Sequence, residues 1–399
     1  MNIIGIVCEY NPFHKGHAWQ IEASREALGE DSVIVCAMSG DYVQRGEAAI
    51  FSKFARAEAA CRCGADLVFE LPLPWAISSA EGFARGAVSM LAGLGCNYLS
   101  FGSEHGSLDM LEQLACRLNR KNIIEEIKQL MDKEPRLSFA AARQQLLAGQ
   151  LGEAAALLEK PNNILAVEYL KAIKQVNLSL RPFTLERRGS GHDQPGEGEL
   201  RSASELRDML RLGKDPSEHI PEAAMEVFRR ELQQGRSALD EDRRELALMS
   251  RLRMLGENSY LSLPDGGDGA GRRLYSAVKT AGSLEEILKL TAARRIPLAR
   301  VRRMCLCAAL GVEKGLADGI PPYARLLAAN EKGRRYLRDI DNKTTIYVLT
   351  KPAHVKYLGP QACNLFALGA SAHDMFTLLY ASQKDRFAGQ DWRTGPKIV

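Results

Sequence analysis

Two histidines three positions apart stand in the segment Glu9-Tyr10-Asn11-Pro12-Phe13-His14-Lys15-Gly16-His17 of this 399-residue chain. An apolar run precedes the segment and helix-like spacing follows it, so both imidazoles fall at the start of a helix. Free main-chain amides and the helix dipole favour anions at that end. Gly16 lets a ligand approach the backbone closely. Imidazoles placed there can donate to phosphate oxygens and follow charge onto departing pyrophosphate without taking a proton themselves. The chemistry indicated is nucleotide activation. The plainer reading is that His14 and His17 only cap the helix, which leaves Asn11-Pro12-Phe13 unexplained.

A second polar set, Ser39, Asp41, Gln44 and Arg45, follows the next apolar run. Arg45 suits a carboxylate or phosphate, and Asp41 could orient an attacking amine; alternatively, the set stabilises its own turn. Farther on, Ser202-Ala203-Ser204-Glu205-Leu206-Arg207 opens a short helix. Ser202 and Glu205 make an ordinary capping box, and a phosphate role for Ser204 and Arg207 is the other reading. No carboxylate cluster names ligands for a metal, and the nine cysteines lack paired C-x-x-C spacing. Cys61/Cys63 and Cys305/Cys307 are read as packed core residues.

The elements that must position these groups alternate over the first hundred residues. Ile3 to Glu9, Ser32 to Met38, Asp66 to Leu71 and Tyr98 to Phe101 read as strands, too uniformly apolar to be half exposed. His17 to Leu28, Ser52 to Cys63 and Ser79 to Ala92 read as helices, with Gly64 and Gly93 at helix stops. This alternation predicts a doubly wound α/β fold with a parallel sheet, and ligands at the carboxyl ends of its strands. A helical insertion is expected around 107–176, then a strand at Leu178 to Leu185 and a loop at Gly189 to Gly198. The α/β domain would span residues 1–212, and residues 213–399 would form a mainly α-helical domain.

Composition is that of a globular protein, 46% hydrophobic and 26% charged. There is no basic n-region with a cleavage site, and no run approaches the ~18 apolar residues of a membrane span. A cytoplasmic location is expected. Lys plus Arg against Asp plus Glu runs 20 to 25 in residues 1–200, 18 to 16 in 201–300 and 15 to 8 in 301–399. The basic surplus is therefore C-terminal. Arg302, Arg303, Arg334 and Arg335 are the candidate polyanion contacts, against the plainer reading of solvated helix faces.

The His14-Lys15-Gly16-His17 turn matches the H-x-G-H signature of the nucleotidyltransferase superfamily, and Ser202 to Arg207 resembles that superfamily's Ser-x-Thr/Ser-x-x-Arg element. Val7 to His17, Met38 to Asp41 with Gln44 to Glu47, Asp66 to Pro72, Phe101-Gly102-Ser103-Glu104 and Lys160 to Leu165 together resemble the bacterial tRNA(Met) cytidine acetate ligases. The resemblance is strong over residues 1–210 and loose beyond. It implies that ATP and acetate form acetyl-adenylate, and that acetyl then passes to the wobble cytidine of elongator tRNA(Met), giving N(4)-acetylcytidine. It also implies an ATP site at Val7, Cys8, Glu9, Tyr10, Asn11, Pro12, Phe13, His14, Lys15, Gly16, His17, Ala18, Trp19 and Gln20, together with Gly102, Asn162 and Arg187. Arg188 beside Arg187 leaves that register open by one residue.

Magnesium bridging the phosphates is expected, with ligands unassigned. The competing readings are a small-molecule adenylyltransferase, which has no need of a basic helical second domain, and a noncatalytic RNA-binding protein, which has no need of both histidines.

Overall fold

A computed structural model of the chain describes residues 1–134, 136–176, 179–186, 201–340 and 344–399. Its strands are β1 (Ile3–Cys8), β2 (Val33–Ser39), β3 (Tyr42–Val43), β4 (Glu47–Ala48), β5 (Leu67–Leu71), β6 (Tyr98–Ser103), β7 (Arg181–Glu186), β8 (Tyr323–Ala329), β9 (Tyr347–Leu349) and β10 (Lys397–Ile398). The main sheet runs β10-β8-β5-β2-β1-β6-β7, with β9 also pairing β8; β3 and β4 form a separate hairpin. From β5 to β7 all neighbours are parallel. The chain moves outward from β1 through β2 to β5, then returns to place β6 on the other side of β1. That reversal opens a crevice at the carboxyl ends of β1 and β6, where doubly wound sheets bind ligands.

Local sequence explains the parallel core. β1 and β2 are almost wholly buried runs of Ile, Val and Cys, the composition of strands covered on both faces. Helix α1 (Lys15–Leu28) follows β1, and α2 (Lys53–Arg62) starts at Ser52, whose hydroxyl accepts from the Ala55 amide at 3.3 Å. One face of the sheet is covered by helices Ala80–Gly93 and Pro161–Val176, and the other by α1, α2 and helix Glu222–Gln233. The expected insertion forms helices Leu108–Leu118, Ile123–Lys133 and Phe139–Leu151, leading into Pro161–Val176.

The expected division after residue 212 does not follow the sheet. β8 runs antiparallel beside β5, and β9 and β10 extend the sheet beyond it. Helix Glu222–Gln233 also packs on the first half, with Phe228 stacked on Phe51 at 4.4 Å. Burial drives both: Tyr-Ala-Arg-Leu-Leu-Ala-Ala at 323–329 is wholly buried, and an apolar strand gains most by extending an existing sheet. The helix after β8, Glu331–Ile340, is pressed tightly on the amino ends of the strands. A Cβ on its Gly333 would lie 2.1 Å from the Asp66 carbonyl oxygen, so only glycine fits. The remaining C-terminal helices gather a second core around Leu252, Tyr260, Leu274, Val301 and Phe376, which Tyr42, Ala48, Leu73 and Ile77 of the first half also join.

Candidate active site

Tyr10 to Phe13 carry the chain from β1 into α1; Tyr10 has a φ of 47° and the Asn11–Pro12 peptide is cis. Tyr10 and Phe13 are buried edge-to-face at 4.8 Å, and Tyr10 meets the His17 ring, also at 4.8 Å. Asn11 Oδ1 accepts from the Ile50 amide at 2.9 Å. The turn thus rests on an aromatic platform and is tied to the chain entering α2.

The two imidazoles stack at 3.8 Å. His14 Nδ1 accepts from the Gly16 amide at 3.0 Å, and His17 Nδ1 accepts from the His14 amide at 3.3 Å. A backbone N–H can only donate, so each Nδ1 is an acceptor and each neutral ring carries its proton on Nε2. The capping and phosphate-binding readings therefore use different nitrogens and are compatible. Gly16 is required by this packing, since a Cβ there would lie 2.9 Å from His14 Cε1.

The helix Ala203–Arg211 reaches the same turn from the far end of the first half. Ser202 and Glu205 form the expected capping box. Beyond that box, Arg207 donates to the Asn11 carbonyl at 3.0 Å and to Ser204 Oγ at 3.0 Å. Glu9, at the end of β1, accepts from the Gln44 amide at 2.8 Å. Burial raises its pKa, while that hydrogen bond and the nearby Arg207, Arg45 and Arg56 charges act the other way. Lys15 is exposed at the helix start. The structure thus gathers His14, His17, Glu9, Arg45, Ser204 and Arg207 around one strand-to-helix turn.

Across the crevice, Gly102 lies within β6, pairing Leu185. Two residues on, Glu104 accepts from Asn162 Nδ2 at 2.6 Å and from the Asn162 and Asn163 amides at 3.2 and 2.8 Å. Asn162 is thereby brought to the carboxyl end of β6, where its partner Glu104 caps the incoming helix. Arg187 lies outside the described residues, as does the loop at Gly189 to Gly198.

Several expected contacts point elsewhere. The side chains of Cys8, Tyr10, Pro12 and Phe13 are buried. Val7, Ala18, Trp19 and Gln20 are half-buried, and Gln20 Nε2 donates to the Ser100 carbonyl at 3.4 Å. Asp41 does not offer a carboxylate to an incoming amine: it is 4% exposed, Oδ1 accepts from the Lys53 amide at 2.8 Å, and Oδ2 bonds His373 Nδ1 at 2.7 Å. Ser39 is wholly buried. Arg303 is held by Asp265 at 2.8 Å, Arg302 stands 3.8 Å from Glu47, and Arg335 pairs with Glu331.

Sequence reasoning missed the groups that hold the strand ends. Arg56 is wholly buried and donates to the Phe51 and Ser39 carbonyls at 3.0 and 3.2 Å, and to those of Glu9 and Gly40. Beside it, Lys53 Nζ lies 2.8 Å from both Glu70 and Asp391, and Arg325 lies 2.7 Å from Asp391. The only signal was charge inside runs that otherwise read as fully buried, Phe-Ala-Arg-Ala and Ala-Arg-Leu-Leu. Their partners lie on other elements, from the nearby strand ends for Arg56 to Asp391, 338 residues along the chain, for Lys53.

With this geometry in place, the likenesses to known proteins gain a structural meaning. The family model described as HIGH Nucleotidyl Transferase matches residues 1–391. A protein of Acetivibrio thermocellus named tRNA(Met) cytidine acetate ligase is 33% identical, over 98% of each chain. One of Syntrophotalea carbinolica with the same name is 37% identical over 84% of this chain and 82% of its own. The chain belongs to the tRNA(Met) cytidine acetate ligase family of HIGH nucleotidyl transferases. The apo crystal structure of Thermotoga maritima TmcAL matches with a TM-score of 0.93 at 28% identity, covering all of both chains. TmcAL bound with alpha-thio ATP matches at 0.90, also over both whole chains. The likeness to this ligase family thus extends through the C-terminal half as well.

No helix among the described residues is long and apolar enough to cross a membrane. Nor, among them, do three or more His, Cys, Asp or Glu side chains converge as a metal-holding group. Among the described residues, then, no cluster fits an all-protein magnesium site.

Proposed function

We propose that this protein uses ATP to activate acetate as acetyl-adenylate and transfers the acetyl group to the wobble cytidine of elongator tRNA(Met). The observation that carries this reading is its near-complete match to ligases of that name, with the H-x-G-H turn fully assembled. A small-molecule adenylyltransferase would leave the matching C-terminal half without a purpose.

In the first step an acetate oxygen bonds to the α-phosphorus of ATP as the bond to the β-phosphate bridge breaks, and pyrophosphate leaves. The His14 and His17 Nε2–H groups, at the positive end of α1, stabilise charge gathering on the leaving phosphates, a task for fixed donors that need not transfer a proton. Arg207, steadied by Ser204, braces the same turn through the Asn11 carbonyl, and Arg45 supplies positive charge beside Glu9. Gly102 and Asn162 are assigned to the nucleoside side of the crevice, with Arg187 as a further ATP contact. In the second step the cytidine N4 attacks the acetyl carbonyl, AMP departs with the bonding electrons, and the amine gives up a proton. The chain itself forms no covalent intermediate in this scheme; its contribution is alignment and charge.

Arg302, Arg303, Arg334 and Arg335 are assigned to tRNA phosphates; a magnesium ion would accompany the phosphates of ATP, its ligands unassigned. The protein is placed in the cytoplasm, where its substrates are made. Incubating purified protein with ATP, acetate and bulk tRNA, then analysing nucleosides by mass, tests the whole reading. Acetylcytidine should form only when all three are present; its absence from a folded, complete reaction would overturn it.

A further inference from the structure

When the cytidine amine bonds to the acetyl carbon, one of its N4 protons must pass to an acceptor. Asp41, which the sequence offered to orient that amine, is committed to the Lys53 amide and His373. The carboxylates at the ends of β5 and β6 are engaged as well. Glu70 accepts from Lys53 at 2.8 Å on one oxygen and from Arg325 at 3.3 Å on the other. Glu104 gives Oε1 to the Asn162 side chain and amide, and Oε2 to the Asn163 amide. Asp391 keeps one oxygen unpaired among the described residues, but that atom is sealed from solvent. Glu9 differs from all of these. Its Oε1 accepts from the Gln44 amide at 2.8 Å, whereas Oε2 has no hydrogen bond or ion pair among the described residues. The residue is half-buried, and that oxygen is reached by solvent.

Its position suits a second substrate. Glu9 directly precedes Tyr10, whose ring meets that of His17, and its carbonyl accepts from Arg56. β6 flanks β1 on one side and β2 on the other. Gly102 and Asn162 belong to the β6 side, while the Gln44 bond ties Glu9 to the hairpin that follows β2. A nucleotide held at the turn with its nucleoside toward β6 leaves the hairpin side of Glu9 for the acceptor. Arg45 faces the carboxylate from the hairpin, Arg207 from helix Ala203–Arg211, Arg56 from α2 and Tyr169 from helix Pro161–Val176. The carboxylate itself would repel a phosphate, and three guanidinium groups disfavour a metal cation beside it. An N–H donor meets neither obstacle. Burial has the largest influence on the Glu9 pKa and raises it, in spite of the Gln44 bond and the arginines, which favours a group that must take up a proton.

We propose that Glu9 is the catalytic base of acetyl transfer, its free oxygen accepting a hydrogen bond from N4 of the target cytosine and then the proton. The inference rests on the tRNA ligase reading above. As N4 attacks, the carbonyl π electrons move onto oxygen. They return as the bond between the acetyl carbon and the phosphate oxygen breaks, and AMP leaves with that bonding pair. The N4 proton passes to Glu9 Oε2 and from there to solvent. A carboxylate is also a base-specific partner for the cytosine amine. Uracil would present its O4, a second acceptor, at the same place, so the contact disfavours it.

Glu9→Gln tests this, because glutamine keeps the shape and an oxygen for the Gln44 amide but cannot take the proton. Two reactions are compared: acetate-dependent ATP–pyrophosphate exchange without RNA, and single-turnover transfer from synthetic acetyl-adenylate to an anticodon stem-loop RNA. Transfer should fall by about 100-fold or more, the usual scale of one general base, while exchange should fall by no more than about tenfold. In the parent, transfer should rise with pH to a plateau as Glu9 loses its proton, and the variant should lack that limb. Glu9→Asp should keep the limb at a reduced rate. If the glutamine variant does not fold, a flat pH profile in Glu9→Asp overturns the proposal. Equal losses in the two reactions would also overturn it, as would parental transfer in the folded glutamine variant, or a pH profile shared by parent and variant. So would exchange restored to Glu9→Gln by added magnesium, which would make Glu9 a metal contact. If the parent forms no acetylcytidine on intact tRNA with ATP and acetate, it is the ligase reading that has failed.

Discussion

His17 combines two jobs in one ring, and its two nitrogens separate them. Nδ1 closes the cap on the His14 amide, whereas the proton on Nε2 is the group assigned to phosphate. Replacing His17 with Ala should lower acetate-dependent pyrophosphate exchange by about 100- to 1,000-fold, the usual loss for one preorganised donor. The cap contributes only about 1 kcal/mol, so the melting temperature should fall by a few degrees. Near-parental exchange in the folded variant would remove His17 from the mechanism. Arg207→Lys should be more damaging than its conserved charge suggests. The guanidinium spans Ser204 and the Asn11 carbonyl together, and an ammonium lacks that planar fork. We expect at least a tenfold fall in kcat/KM for ATP in the exchange assay; parental kinetics would show that the bridge does not matter.

At the scale of elements, the segment after β2 is held from below by the C-terminal helix Pro360–Thr377 through Asp41 and His373. Burial opposes both charges, yet the His373 charge and hydrogen bond, with help from Lys53, hold the Asp41 carboxyl well below the usual carboxylate range. Burial alone would lower the His373 pKa; the Asp41 charge and hydrogen bond, then Asp391, raise it above its ordinary value. A histidine with a raised folded pKa contributes its full stabilisation below its unfolded value of about 6.5, and loses it as pH climbs through the folded value. The parent should therefore lose stability as pH rises above about 6.5. His373→Asn should be weaker by about 3 kcal/mol or more near pH ~6, with the difference shrinking as pH rises. Thermal unfolding across pH checks this, and a gap that is constant with pH would contradict the pairing.

For the whole molecule, the four arginines assigned to tRNA do not form one surface. Arg302 lies beside Glu47 on the hairpin, at the carboxyl ends of the strands, with the active site. Arg334 and Arg335 lie on the helix whose Lys332 bonds the Ser32 carbonyl at 2.9 Å, at the amino ends. Strands of five to seven residues separate the two ends by roughly 20 Å. The pairs should accordingly be reversed separately. Arg302→Glu with Arg303→Glu should weaken tRNA binding and flatten its salt dependence, and should also lower stability through loss of the Arg303–Asp265 pair. Arg334→Glu with Arg335→Glu should weaken binding without that cost. Filter binding at several salt concentrations reads both; a pair whose reversal leaves affinity and salt slope unchanged does not contact the RNA.

Local order was legible because it depends on neighbours in the chain. Uniform apolar runs specify buried parallel strands, Ser52, Ser79 and Ser202 mark helix starts, and the H-x-G-H turn names its chemistry by its place between a strand and a helix. The first half of the fold, the turn and its family resemblance followed from those signals. The location of β8, the burial of Asp41 and the role of Arg56 did not. Each depends on a partner far away: β8 on β5, Asp41 on His373, and Arg56 on carbonyls at the ends of two separate strands. A buried charge is tolerable only where such partners converge, and convergence is a property of the closed sheet. Spacing along the chain was enough to nominate residues for a nucleotide site, whereas the burial of Asp41 and Arg56 followed from the way distant segments close on one another.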